Sequence, residues 1–327
     1  MEEDIQHKLT EWGAESFNWS AYNNSQMREK IMFLDLLGDI CKLLDDDALA
    51  HKIFCIGVKT YANTSSRRVI SELELCKRKG WIQYTPHFNS ILNYLNDLKV
   101  KRALKYLLEL SALPLAQLEK QFCIDSTGFS ERKYIERWSV IRQDFSRHQS
   151  YKKAHCIYGA YSNAVVSCIV TEGSAADSPK FIELLDNAAR NFKVQEVSAD
   201  MGYLSRENMM HAESLDITPF ILFKKNSTGN SRGAMIWNKM YKYFKNNPEE
   251  FMKHYHQRSN CESGFFMIKQ RFGDYVYTKN ELSQTNEILA KILCHNLIIL
   301  IQEIFLSKLE FDFSACAKTY VAQPDDN

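Results

Sequence analysis

The chain has 327 residues, of which 45% are hydrophobic and 25% charged, and its formal net charge is +1. That length has room for two domains, or for one domain with an added module, and that composition is normal for a soluble globular protein. Nine cysteines occur as singles with no CxxC spacing, which sets aside a zinc-finger chain and favours free, mostly buried thiols in a reducing compartment.

The first residues, MEEDIQHKLTEW, are acidic and lack the apolar run of a signal peptide. Residues 1–118 read as a helical N-terminal domain. QMREKIMFLDLLGDICKLL, HKIFCIGVKTYA and SSRRVISELELCKRKG carry apolar residues at helical spacing. The turn ANTSS separates the last two, with Ser65 or Ser66 as the expected N-cap. A short turn before a helix that opens with Arg67 and Arg68 resembles a helix-turn-helix, so both arginines are candidates for DNA contact. The plainer alternative is a helical hairpin with a solvated basic face.

From about residue 119 the period changes. QFCIDST, KAHCIYGAYS, AVVSCIVTEG, VQEVSAD and TPFILFKK read as strands, and SPKFIELLDNAARNF and SRENMMHAESL as helices between the later ones. Asp125 ends the run QFCID, and Asp200 ends VQEVSAD; each meets a glycine within three residues. A polar insert at about 226–247 contains Trp237, for which a core or interface position is the favoured reading. Next comes YHQRSNCESGFFMIK, in which Arg258, Glu262 and Lys269 follow Tyr255 by 3, 7 and 14 residues. In a helix all four share one narrow stripe. The run LCHNLIILIQEIF is too short and too polar for a membrane span and reads as a buried helix. The catalytic domain is expected to close near residue 310, leaving 311–327 as a loosely held tail.

The chemistry follows from the residue types. Asp125, Asp200 and Glu262 are hard oxygen ligands suited to Mg²⁺, with Mn²⁺ as a substitute, and two such ions can clamp the attacking and leaving oxygens of a phosphodiester. From Lys224 to Arg271 there are ten Lys or Arg against three acids, an excess suited to a phosphate backbone. His155 reads as a buried structural histidine. Asp177 reads as a helix cap before SPKF, with a supporting role beside the acids as the alternative. His254 and His256 have no cysteine at metal spacing.

The set Tyr255, Arg258, Glu262 and Lys269, after the DSTG context of Asp125 and the ADMGY context of Asp200, resembles the insertion-sequence DDE transposases. Within that class it resembles the family numbered four, whose signature is Tyr-Arg-Glu-Lys at this spacing. The resemblance spans about residues 115–305. It implies an α/β fold, a ribonuclease-H-like catalytic core of a mixed sheet with flanking helices, behind the α-helical N-terminal domain. The element order agrees. It also implies Asp125, Asp200 and Glu262 as catalytic metal ligands for two ions, Tyr255, Arg258 and Lys269 as contacts to double-stranded DNA at the terminal inverted repeats, and Trp237 as a candidate ring for stacking on a flipped base. Target DNA, a homodimer on paired ends, and action at the nucleoid in a prokaryotic cytoplasm are further expectations. Two rivals stay open: a catalytically idle or domesticated DNA-binding protein, and a structure-selective nuclease of the same fold.

Overall fold

The computed structural model describes residues 18–131 and 151–322. The acidic opening segment of the sequence and the last five residues of the tail lie outside the described residues.

Among the described residues five helices come first: α1 (Trp19–Cys41), α2 (Asp47–Tyr61), α3 (Val69–Arg78), α4 (Phe88–Tyr94) and α5 (Leu98–Ala112). Short polar side chains start three of them. Asn18 accepts from the Ala21 N–H, Asp46 from Leu49 and Asp97 from Lys99, each relieving an orphan donor of the first turn. Ser65 does so more weakly, because its hydroxyl accepts the Arg68 N–H at 3.4 Å and the regular part of α3 begins only at Val69.

The sheet follows. Its strands are β1 (Gln121–Glu131), β2 (Tyr151–Gly159), β3 (Val165–Glu172), β4 (Glu196–Ala199), β5 (Thr218–Ile221) and β6 (Tyr275–Val276). The order across it is β3-β2-β1-β4-β5. β1, β2 and β3 are antiparallel, while β4 and β5 run parallel to β1. Helix α6 (Lys180–Asn191) joins β3 to β4, and α7 (Arg206–Ser214) joins β4 to β5. This is the expected ribonuclease-H-like arrangement, a mixed sheet with helices on its faces.

The insert at 226–247 is more ordered than its polar composition suggests. It contains α8 (Met235–Asn246), which buries Ile236, Trp237 and Met240 against the sheet side that carries Phe220 and Phe223. Then come α9 (Pro248–Tyr255), a 3₁₀ turn (His256–Arg258) and α10 (Ser259–Phe272).

The last long helix, α11 (Glu281–Leu306), has 26 residues and is twice as long as the apolar run that announced it. By length and composition it is apolar enough to cross a membrane, yet 83% of its most apolar window is buried inside this protein. Its polar residues explain why. Asn296 accepts from the Val165 N–H at 2.8 Å and donates to the Val165 carbonyl at 2.7 Å, taking the place of a neighbouring strand at the edge of β3. Asn286 donates to the Leu95 carbonyl. Such groups are stable in a core only when paired in this way.

α11 packs on α1, α2, α5 and β3 together. One apolar cluster therefore runs from Phe33 and Leu37 through Leu107 to Phe265 and Leu297. The change at residue 118 is a change of secondary structure, not a break in the core. A short helix, α12 (Phe313–Thr319), lies in the region expected to be a loose tail; Phe313 is buried, and Tyr320 just after the helix donates to the Glu109 carboxylate. All nine cysteines are free thiols, eight of them buried.

Candidate active site

The site begins with the way two strands part. β1 and β4 pair in parallel from Gln121 opposite Glu196 to Ile124 opposite Ala199. There β4 ends. β1 continues, and on that edge it next pairs at Ser130, opposite Tyr275 of β6. Residues 125–129 of β1 thus border a notch in the sheet. Asp125 and Asp200 are the next residues after the last pair, so they leave neighbouring strands at one height, with backbones about 5 Å apart. Asp125 itself is not at a strand end as its sequence context suggests. β1 runs on for six residues beyond it, and the strand that stops is its neighbour. Crevices beyond the carboxyl ends of parallel strands are where open α/β sheets carry their chemistry.

Strand alternation then aims Asp125. Cys123 and Phe129 belong to the apolar cluster containing α10, whereas Ile124 belongs to the cluster on the opposite face. Asp125 shares the face of Cys123. It meets there the helical stretch that holds the Tyr-Arg-Glu-Lys set. That stretch is not one uniform α-helix. Its dihedrals stay right-handed through Tyr255, His256, Arg258 and Ser259, but it tightens to a 3₁₀ turn between α9 and α10. In a 3₁₀ turn residues three apart eclipse, so Tyr255 and Arg258 line up, with the guanidinium 5.8 Å from the ring centre.

Arg258 joins the acids. Its Nη1 donates to Asp125 Oδ2 at 2.9 Å and its Nη2 to Glu262 Oε1 at 2.6 Å. Asp200 is exposed, and its Oδ1 accepts the Met201 N–H at 2.7 Å, capping a short 3₁₀ turn. Burial pushes the Asp125 carboxyl above its usual range. The Ser126 N–H and Arg258 pull it down, while Asp200 and Glu262 push it further up. The three carboxylates are thus close enough to feel one another. Burial also raises the Tyr255 phenol, and Asp200 and Asp125 add to that, while Arg258 opposes it.

Among the described residues no three His, Cys, Asp or Glu side chains stand close enough to enclose one metal ion as they are. The donors nevertheless fit a divalent ion chemically. They are three carboxylates, Asp125 repelled by each of the other two, with Asp125 and Glu262 held by a single cation. Hard oxygen donors of this kind are the ligands that Mg²⁺ and Mn²⁺ take.

Lys269 is two turns beyond Glu262 on α10, about 10 Å along the axis. It is half-buried with its ammonium 5.6 Å from the Phe129 ring centre, and burial lowers its pKa. It is therefore beside the notch rather than on the acids. Arg67 and Arg68 are exposed in the turn before α3, and Arg67 covers the ring of Phe88 at 4.8 Å. Trp237 requires a correction. Its ring is buried, 5.1 Å from Phe223 and under the Arg206 guanidinium at 4.3 Å, and its indole N–H donates to the Thr228 carbonyl at 2.7 Å. A ring held on these sides has no face for a base.

Asp177 also departs from its expected capping role. The N-cap of α6 is Pro179, with no side-chain cap bond. The Asp177 carboxylate instead takes Lys153 Nζ at 2.7 Å and faces His155 Nδ1 at 3.2 Å. Burial would raise its pKa, but Lys153, a hydrogen bond with the Ser126 side chain, and His155 hold it low. His155 is fully buried, as expected, and its Nε2 meets the Thr171 hydroxyl at 2.9 Å. The register pairs Ser126 with His155, so this cluster backs the strand directly behind Asp125. Sequence reasoning missed it because only the β1–β2 register brings its members together.

A mixed sheet in this order, with two aspartates where β1 and β4 part and a glutamate arriving on a later helix, is a ribonuclease-H-like domain. Residues 116–297, more than half of the chain, match the family model described as transposase DDE domain, and the chain belongs to that family. No curated protein matches it.

Proposed function

We propose that the chain is an active DNA transposase of the insertion-sequence type, close in its signature to the family numbered four. It would cut phosphodiesters at the transposon ends and join the freed 3′-hydroxyl to a second strand. What supports this reading is one relationship: Asp125 and Asp200 at the same height where β1 and β4 part, with Glu262 tied to Asp125 through Arg258.

Two Mg²⁺ or Mn²⁺ ions, when bound, would supply Lewis-acid stabilisation to the attacking and leaving oxygens. Asp125, Asp200 and Glu262 are the residues that would hold them. Arg258, released from the carboxylates, offers a planar two-pronged donor to the non-bridging oxygens of the scissile phosphate. Tyr255 buttresses that guanidinium, and Lys269 adds a point charge further along the strand. Catalysis in this reading comes from in-line positioning and charge neutralisation, with no covalent protein–DNA bond. Substrates are double-stranded DNA with terminal inverted repeats, and target DNA, bound by a homodimer on paired ends in a prokaryotic cytoplasm. Trp237 has no part in it.

The test is strand nicking with Mn²⁺ on DNA carrying the inverted repeats that flank the gene, wild type against Asp200→Ala. Cleavage at the repeat boundary by wild type alone is the expected result. Repeat binding without cleavage by either protein would replace this reading with a domesticated DNA-binding role. Cleavage indifferent to the repeats would replace it with a general nuclease.

A further inference from the structure

A groove of about 960 Å³ lies between the helical region and the catalytic core. Its borders are the α2–α3 turn, α4, the end of α10 and the loop into α11. Lys59, Arg67, Arg68 and Lys279 line it, two regions of the chain contributing to one wall of positive charge. Among the described residues none of these four has a carboxylate at ion-pair distance, although surface cations nearby do, such as Arg271 with Glu29. A fifth cation, Lys291, is buried and already donates to the Gly273 and Tyr275 carbonyls. Among the described residues the one acid in the lining, Glu287, is taken up by the Tyr277 and Thr278 N–H groups and the Thr278 hydroxyl. Among the described residues, four cations without an ion-pair partner thus face a groove whose only carboxylate is already paired.

The spread of the charge indicates the occupant. The cations come from separate stretches, the end of α2, the α2–α3 turn and the loop into α11, and charge drawn from several elements suits a chain of phosphates better than a small anion. Phe88 is already covered by Arg67, so that ring offers little for stacking an unpaired base. Position follows from α10. Phe272, which lines the groove, is ten residues beyond Glu262 on the same helix, so the groove opens about 15 Å from that acid. At about 3.4 Å per nucleotide along a strand, that is roughly four to five nucleotides.

We propose that this groove holds the sugar-phosphate backbone of duplex DNA about four to five nucleotides from the scissile bond, at the spacing just given. The contact is sequence-independent and shared by the helical region and the core. The distance rests on Glu262 marking the catalytic centre; the charge of the groove does not.

The experiment measures binding of a fluorescent random-sequence duplex over a range of salt, for wild type, an Arg68→Gln/Lys279→Gln double variant and Arg68→Lys. Both side chains are exposed, and thermal melting checks that each variant is folded. The double variant should show a slope of log K against log salt shallower by about 1.8, or roughly 0.9 per lost phosphate contact, and on the order of tenfold weaker binding. Arg68→Lys should keep the wild-type slope. An unchanged slope in the folded double variant overturns the proposal. Mn²⁺-dependent nicking by wild type is read in parallel. A wild type that nicks while the slope stays unchanged leaves the active-site reading intact and removes the groove. A wild type that never nicks while the slope still depends on these cations removes the active-site reading and keeps the groove. Phosphate-ethylation interference on a nicked substrate then fixes the distance; interference only at the nick would refute the spacing.

Discussion

Arg258 bridges Asp125 and Glu262, donating to the first at 2.9 Å and to the second at 2.6 Å. A guanidinium therefore stands between two of the three acids, and a divalent ion that uses both must compete with it. Mn²⁺ should raise the melting temperature of wild type, and should raise that of Arg258→Gln by more, since the competitor is gone. The size follows mass action, about 2.7 kcal/mol at an ion concentration a hundredfold above Kd. Calorimetric scans with and without Mn²⁺ check this; an equal or smaller shift in the variant would show that Arg258 does not compete with the ion.

Loss of any one acid should stop the reaction without unfolding the protein. Asp125→Asn, Asp200→Ala and Glu262→Gln are each expected to lower nicking by at least the roughly 10²–10³-fold typical of removing one preorganised electrostatic group. Their losses should not add, because the three act as one unit. Single-turnover cleavage of the singles and a double measures both points.

The pH dependence of stability has a defined sign. Asp125 has its folded-state pKa raised above its ordinary 3.8, with burial the largest cause. Its contribution is therefore complete below the unfolded value and is lost as pH rises through the raised folded value. Without metal, the wild type should lose stability relative to Asp125→Asn as pH climbs from the ordinary aspartate range towards neutrality. Denaturant titrations of both proteins across that range give the difference curve, and a flat curve would contradict the assigned shift.

Trp237 should matter to the fold and not to DNA. Trp237→Phe removes the part-buried bond to the Thr228 carbonyl, at a cost of about 0.5–1.5 kcal/mol. DNA affinity should be unchanged at temperatures where the variant is folded. Selective weakening of DNA binding would restore the tryptophan to the DNA surface.

Gly264 sets how closely α10 approaches the sheet. A Cβ there would stand 2.5 Å from Tyr158 Cε1, and Tyr158 is fully buried with its ring edge-on to Phe265. Gly264→Ala should cost about 1–3 kcal/mol by overpacking, despite the gain in helix propensity. Glu262 sits two residues away, so cleavage should fall further than stability alone accounts for. Nicking rates measured well below the melting point separate the two effects.

Much of this was legible in the sequence because strand runs and acids keep local signatures. VQEVSAD and QFCID carry the apolar runs of buried strands and end on the residues of interest. Other parts were hidden for physical reasons. α8 is masked by Lys239, Lys242 and Lys245 on its outer face and by the Ser, Gly and Asn residues before it, although Ile236, Trp237 and Met240 keep helical spacing. β1 could not be followed past Thr127, since the Gly and Ser of TGFS suggest a turn; pairing with β2 overrides that preference. The role of Asp177 depends on Lys153 and His155, which only the register of two strands brings to it. The separation into domains looked clean in sequence because helices give way to strands, yet one apolar cluster spans the change.

That shared cluster has a consequence for how the protein is made. α1, α2 and α5 leave the ribosome well before α11, yet the surface on which all three close belongs to α11. The helical region therefore lacks its closing surface until α11 has been made. A chain terminated just beyond Glu262 would lack that closing surface, and such a truncated product should not form a folded helical region.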